Sequence, residues 1–159
     1  MLKRKEQIMS IIGRWELGSI RMLDENGVEK YVTPDEYLNS PMPPYRTTES
    51  DIKNEMKQRK MTVDTVLSVE DDGKIYSLMP VPEGISKEQL DMAVNAGAVK
   101  LKNGLMLIDS YDWKEENGVY IFDSKIQGEA LGEKVSPWIQ LLDDEGCINM
   151  IGMRFVKVD

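Results

Sequence analysis

The amino-acid sequence predicts a mainly β protein: an antiparallel meander closed into a barrel of about 8–10 strands, with two short helices. Three observations predict this fold. Pairs of residues typical of hairpin turns recur along the chain, the segments between them have the composition of strands, and only two stretches have a helical pattern.

The turn pairs are the strongest of these observations. Each stands between apolar or alternating segments, and the pairs are Asn26-Gly27, Asp72-Gly73, Asn103-Gly104 and Asn117-Gly118. Such pairs accept the positive φ angles of tight hairpin turns, so each predicts two antiparallel strands. A fifth turn is predicted from Asp143 to Gly146.

The predicted strands lie between these turns, at residues 12–23, 28–33, 63–70, 74–81, 98–102, 105–113, 119–126, 137–142 and 147–158. The first strand changes phase along its length, because Trp15 and Leu17 share one parity whereas Ile20 and Met22 share the other. Gly18 stands at the change. We therefore expect a β-bulge or a sharp bend at Gly18, which would restore one inward face.

The two predicted helices lie at residues 50–60 and 86–97. Ser86 and Gln89 form a capping-box pattern at the start of the second helix. Residues 33–49 contain four prolines and predict a loop, which is either a lid over the barrel mouth or a surface connection.

Length and charge narrow the class of protein. The 159 residues predict one domain spanning the whole chain, 1–159. The formal net charge of -8 repels phosphate backbones and anionic surfaces, so we expect no nucleic-acid partner. No apolar run approaches the roughly 20 residues that span a bilayer, and the N-terminal apolar stretch is too short for a signal peptide. We expect no membrane partner and a cytoplasmic protein; the sequence leaves the oligomeric state open.

Candidate catalytic and metal-binding groups are few. The sequence has no histidine and one cysteine, Cys147, which we expect to be buried and structural. Acidic pairs such as Asp71-Asp72 lie in predicted turns, where solvation explains them. We therefore expect no metal and no cofactor, and an enzyme is the least favoured class of function.

Gly13 and Trp15 open the first strand, and Arg154 lies in the last. This combination resembles the calycins, which include the lipocalins and the fatty-acid-binding proteins. In that superfamily a basic side chain from the last strand packs across the tryptophan of the first. The resemblance therefore implies a lipocalin-like barrel in which Arg154 lies against the indole of Trp15.

Three longer segments resemble uncharacterised lipocalin-like proteins of gut Firmicutes: residues 79–84, 113–118 and 131–138. This second resemblance implies a bacterial protein and no particular activity.

Two functions remain open from the sequence. In the first, the barrel interior binds a small apolar or amphipathic ligand, with walls drawn from Met79, Met106, Tyr76, Tyr120, Phe122 and Met150. In the second, the barrel is filled and the chain is a non-enzymatic protein-interaction or regulatory domain. Methionines on predicted elements, among them Met92 and Met153, suit either an adaptable ligand wall or core filling.

Overall fold

The structure, a computed structural model, describes residues 11–158. It is mainly β, with 42% strand and 20% helix, and its large antiparallel sheet is curled into a half-barrel. The predicted fold class is confirmed. The expectation about a signal peptide concerns residues 1–10, which lie outside the described residues.

The described residues form twelve strands. They are β1 Gly13–Leu23, β2 Glu29–Val32, β3 Val66–Val69, β4 Lys74–Met79, β5 Leu101–Lys102, β6 Leu105–Glu116, β7 Val119–Asp123, β8 Gly128–Ala130, β9 Glu133–Val135, β10 Trp138–Gln140, β11 Ile148–Met150 and β12 Met153–Lys157. The main sheet has the order β10-β7-β6-β4-β3-β1-β12-β11, with β2 paired to β1 and β5 paired to β6. Strands β8 and β9 form a separate hairpin.

The first and last strands pair, as the meander predicts. Leu17 of β1 stands opposite Phe155 of β12, and the register shifts between Leu17 and Ser19. The predicted irregularity at Gly18 is therefore confirmed as a break in the β1–β12 register. It allows Trp15, Leu17 and Ile20 to face one side although their spacing is not uniform.

The two ends of the curled sheet meet at Leu141, directly after β10. Its N–H donates to the carbonyl of Tyr120 in β7 at 2.9 Å, and its carbonyl accepts the N–H of Asn149 in β11 at 3.4 Å. Leu142 also forms an isolated bridge with Ile148. Leu141 is fully buried, so this junction is part of the core.

Three helices occur within residues 11–158, one more than predicted: α1 Pro34–Leu38, α2 Glu49–Val63 and α3 Lys87–Asn95. Helix α1 lies in the segment predicted as a loop, where Thr33 and Glu36 form a capping box around Pro34. Helix α2 runs to Val63, so the strand predicted from residue 63 begins only at Val66. Helix α3 has the predicted capping box of Ser86 and Gln89.

The core lies on the concave face of the sheet. Its buried members are Ile11, Trp15, Leu17, Leu67, Val69, Ile75, Phe122, Leu141, Ile148 and Phe155. They come from β1, β3, β4, β7, β11 and β12 and from the segments beside β1 and β10. Side chains from both ends of the sheet therefore fill the concave face.

Candidate functional site

The structure brings together three of the six residues predicted to line a ligand cavity. Phe122 is 3% exposed and belongs to the buried core, and Tyr120 and Met150 are half-buried and pack against that core. The ring of Phe122 also meets Tyr111 edge-to-face at 6.0 Å between centroids. Phe122 is therefore part of the packed core, and Tyr120 and Met150 lie against that core.

The other three predicted residues lie elsewhere. Met79 of β4 and Met106 of β6 are cross-strand neighbours. Tyr76 follows the fully buried Ile75 in β4 and therefore points to the opposite face of the sheet. Its hydroxyl donates to Asp72 at 2.6 Å, and this hydrogen bond, with the burial of the ring, raises the pKa of Tyr76 to about 12.

Arg154 does not lie against Trp15, and that prediction is wrong. Trp15 is 3% exposed, faces the core and donates from Nε1 to the carbonyl of Ile11 at 2.9 Å. Arg154 stands opposite Ser19, next to the buried Phe155, so alternation along β12 turns it to the other face. A break in the β1 register cannot bring together side chains that lie on opposite faces of the sheet.

On that other face Arg154 is held by three partners. Its Nε donates to Asp143 at 2.7 Å, one terminal nitrogen donates to Glu145 at 3.0 Å, and the guanidinium carbon lies 5.1 Å from the centre of the Tyr31 ring. Burial acts to raise the pKa of Asp143, but the hydrogen bonds from Arg154 and from the Cys147 and Glu145 N–H groups outweigh it and lower that pKa. Two of the three guanidinium nitrogens of Arg154 thus donate to carboxylates within the protein.

Cys147 lies beside this ion-pair cluster and is half-buried rather than fully buried. Burial raises the pKa of its thiol, and the nearby Asp143 carboxylate acts in the same direction. Both effects keep the thiol protonated and poorly nucleophilic. The structural role predicted for Cys147 is consistent with this setting.

The surface formed by residues 11–158 has several clefts, and four of them have volumes between about 260 and 580 Å³. None of the six residues predicted to line a ligand cavity is in their walls. Each of these four clefts has apolar and cationic lining residues, but one of them has three lysines, and we call it the lysine-lined cleft. Its volume is about 500 Å³, and it is lined by Lys53, Met56, Lys57, Lys60, Met61, Asp64, Pro80, Val81, Pro82 and Glu83.

One wall of the lysine-lined cleft is a single face of α2. The contributing positions are 53, 56, 57, 60, 61 and 64, which repeat every three or four residues and so lie along one side of a helix. The opposite wall is the segment 80–83 that follows β4. Because α2 rises about 1.5 Å per residue, its contributing face is about 16 Å long.

Charges in this cleft are unevenly compensated. Lys60 pairs with Asp64 at 3.0 Å. Within residues 11–158, Lys53 and Lys57 have no ion-pair partner and no side-chain hydrogen bond, and both are exposed. Glu83 supplies the one other carboxylate of the wall. The cleft therefore carries a local excess of positive charge on a chain whose net charge is -8.

A different side of α2 is fixed to the neighbouring loop by Arg59. This guanidinium is 4% exposed and donates to the carbonyls of Leu38, Ser40 and Pro41 at 3.3, 2.7 and 3.0 Å. Its Nε also lies 3.9 Å from Glu55. Arg59 thus holds the proline-rich segment against α2 and fixes the orientation of the cleft wall.

The lysine-lined cleft is not among the sites that the sequence predicts. The available signal was the spacing of Lys53, Lys57 and Lys60 in one helix, with Met56 and Met61 beside them. That pattern places the residues on one face of α2, but it does not reveal that segment 80–83 packs opposite. Met92, for which the sequence favours either a ligand wall or core filling, is instead 71% exposed on α3.

No group of three or more carboxylate or cysteine side chains within residues 11–158 is arranged to hold a metal ion. In the same range, no helix combines the length and the apolar character needed to cross a bilayer. Comparison with protein-family models, curated proteins and solved structures yields no match to this chain. The likeness to lipocalin-like proteins accordingly remains a resemblance of sequence motifs.

Proposed function

We propose that this chain is a non-enzymatic binding protein that takes up a small amphipathic molecule in the lysine-lined cleft. The observation that carries the proposal is the composition of that cleft: methionine, proline and valine residues line it together with three lysines. An amphipathic ligand needs both kinds of surface in one place.

The filled interior of the half-barrel supports a site outside it. Ten buried side chains already occupy the concave face. A ligand placed there would have to displace packed core atoms, and the lost packing would cost several kcal/mol for each large side chain that moved. The lysine-lined cleft has about 500 Å³ of open volume and requires no such displacement.

The test uses two probes that differ only in their head group, decanol and decanoate, with decanol kept below its solubility limit and decanoate below its micellar concentration. At least one of the two probes should bind to the protein at a single site. Val81→Asn adds an amide to the apolar wall without changing charge, so it should weaken binding at least about tenfold. Met92→Asn, on the exposed face of α3, should leave the affinity unchanged. Binding of neither probe, or equal binding by both variants, would contradict the proposal.

The second proposed function is a protein-interaction or regulatory domain, as expected for a filled barrel. The β8–β9 hairpin supports it, because Leu131 is fully exposed at its tip and Ile126 and Val135 are also exposed nearby. Contact through this hairpin should show as self-association in sedimentation velocity that Leu131→Asp abolishes. If the protein sediments as a monomer at every concentration, self-association through this hairpin is excluded.

A further inference from the structure

The head group of the ligand can be inferred from the charges at the lysine-lined cleft. We propose that the cleft binds an acyl chain ending in a carboxylate, with the carboxylate held by Lys53 and Lys57 and the chain lying on Met56, Met61 and Val81. This inference rests on the proposed function, and it adds the chemical class of the ligand.

Charge complementarity selects the head group. Lys53 and Lys57 stand one helical turn apart on the cleft face of α2, so their ammonium groups can approach one anion together. Lys60 is already paired with Asp64 and adds little net charge. The remaining carboxylate, Glu83, lies on the other wall and leaves the α2 side cationic. A single anionic head group would offset the positive charge on the α2 side of the cleft, whereas a neutral head group would not.

The apolar wall selects the tail. Pro80 and Pro82 have no backbone N–H, so this wall offers few donors to the carbonyl groups of an extended peptide. A peptide backbone lying there would leave polar groups without partners, which is costly. An acyl chain has no such groups, and the flexible thioether side chains of Met56 and Met61 adapt to its shape. The walls therefore favour a hydrocarbon chain over a peptide.

The experiment compares decanoate with decanol by titration calorimetry at low salt. Decanoate should bind about tenfold more tightly, because two ammonium groups attract the carboxylate, and this advantage should shrink as salt screens the exposed charges. The double variant Lys53→Gln/Lys57→Gln should bring the affinity for decanoate down to that for decanol. Lys100→Gln, an exposed lysine outside the cleft, is the matched control. Both lysine variants replace exposed side chains and should fold normally.

The outcomes separate the two proposals. Equal affinity for decanoate and decanol, with both weakened by Val81→Asn, would overturn the carboxylate inference and leave the proposed function intact. The same conclusion follows if decanoate keeps its advantage in the Lys53→Gln/Lys57→Gln protein. Absence of binding by both probes would overturn both proposals. A decanoate advantage that only the Lys53/Lys57 double variant removes supports both.

Discussion

The concave face of the curled sheet and the lysine-lined cleft beside α2 are both surfaces of apolar side chains, but they differ in what fills them. The concave face is occupied by the chain's own residues, including the rings of Trp15, Phe122 and Phe155. The cleft is open, and two of the three lysines that line it, Lys53 and Lys57, have no ion-pair partner among residues 11–158. We therefore expect the buried face of the sheet to supply most of the stability, whereas the open cleft beside α2 is the site of the proposed binding.

The largest expected change in the free energy of unfolding tests whether the concave face of the sheet is the stabilising core. Trp15→Ala should lower the free energy of unfolding by roughly 3–5 kcal/mol, because it removes a buried ring and leaves a cavity. Leu131→Ala, at the fully exposed hairpin tip, should change it by less than about 0.5 kcal/mol. Chemical denaturation of both variants gives the two values. A small loss for Trp15→Ala would mean that the concave face is not the stabilising core.

The second-largest expected loss of stability concerns the attachment of α2 to the rest of the molecule. Arg59→Ala removes the donor to three carbonyls of the 38–41 segment and should cost about 2–3 kcal/mol. Arg59→Lys keeps the charge but cannot supply the same set of donors, so its loss should be intermediate. Amide hydrogen exchange should show the 38–41 segment opening first in both variants. Unchanged exchange there would show that Arg59 does not hold this segment.

A smaller effect, and a stabilising one, is expected at a turn outside the core. Ile151 is 76% exposed and has a φ of 49°, a left-handed conformation that is costly for a β-branched residue. Ile151→Asn should therefore raise the free energy of unfolding by about 0.5–1 kcal/mol. Ile85→Asn replaces an exposed isoleucine without a positive φ and should give no gain. Equal changes in the free energy of unfolding for the two variants would exclude relief of backbone strain as the cause of the gain.

The smallest expected effect is an energetic coupling between side chains, and it distinguishes the two faces of β12. Arg154→Ala and Asp143→Ala should be coupled in a double-mutant cycle, because their side chains form a 2.7 Å hydrogen bond. Arg154→Ala and Trp15→Ala should be additive, since these side chains lie on opposite faces of the sheet. Coupling between Arg154 and Trp15 would restore the calycin arrangement that the structure contradicts.

Acid should weaken the ion pair between Arg154 and Asp143. The pKa of Asp143 is lowered in the folded protein, so its contribution to stability is present above the unfolded pKa of about 4 and is lost as pH falls through the folded value. Asp143→Asn should therefore destabilise the protein at pH 7, and the difference from wild type should narrow in acid. Unfolding curves measured across this range would show it; a difference that stays constant with pH would contradict the assigned role.

The sheet could be predicted from sequence because its turns have a local chemical signature. Asn103-Gly104 and Asn117-Gly118 have positive φ at both residues, as their chemistry predicts. The hairpins at Leu131-Gly132 and Ile151-Gly152 adopt the same conformation, but leucine and isoleucine give no such signal. The β8–β9 strands were therefore missed, and β11 and β12 were predicted as one strand.

The candidate site could not be predicted in the same way. The sequence predicts that β1 and β12 are neighbours, which they are, but it does not reveal which residues of β12 face the core. Phe155 faces the core, so the adjacent Arg154 points to the other side of the sheet, away from Trp15. The lysine-lined cleft depends on segment 80–83 packing opposite α2, a contact between distant parts of the chain. Neither the inward face of β12 nor that contact follows from local residue preferences.

The most direct test of the account is to locate bound decanoate by intermolecular nuclear Overhauser effects. Contacts between the acyl chain and the methyl groups of Met56 and Met61 are predicted, because both side chains line the lysine-lined cleft. Contacts to the Met150 methyl group or the Phe122 ring would place the ligand inside the curled sheet and contradict the claim that binding occurs outside a filled half-barrel.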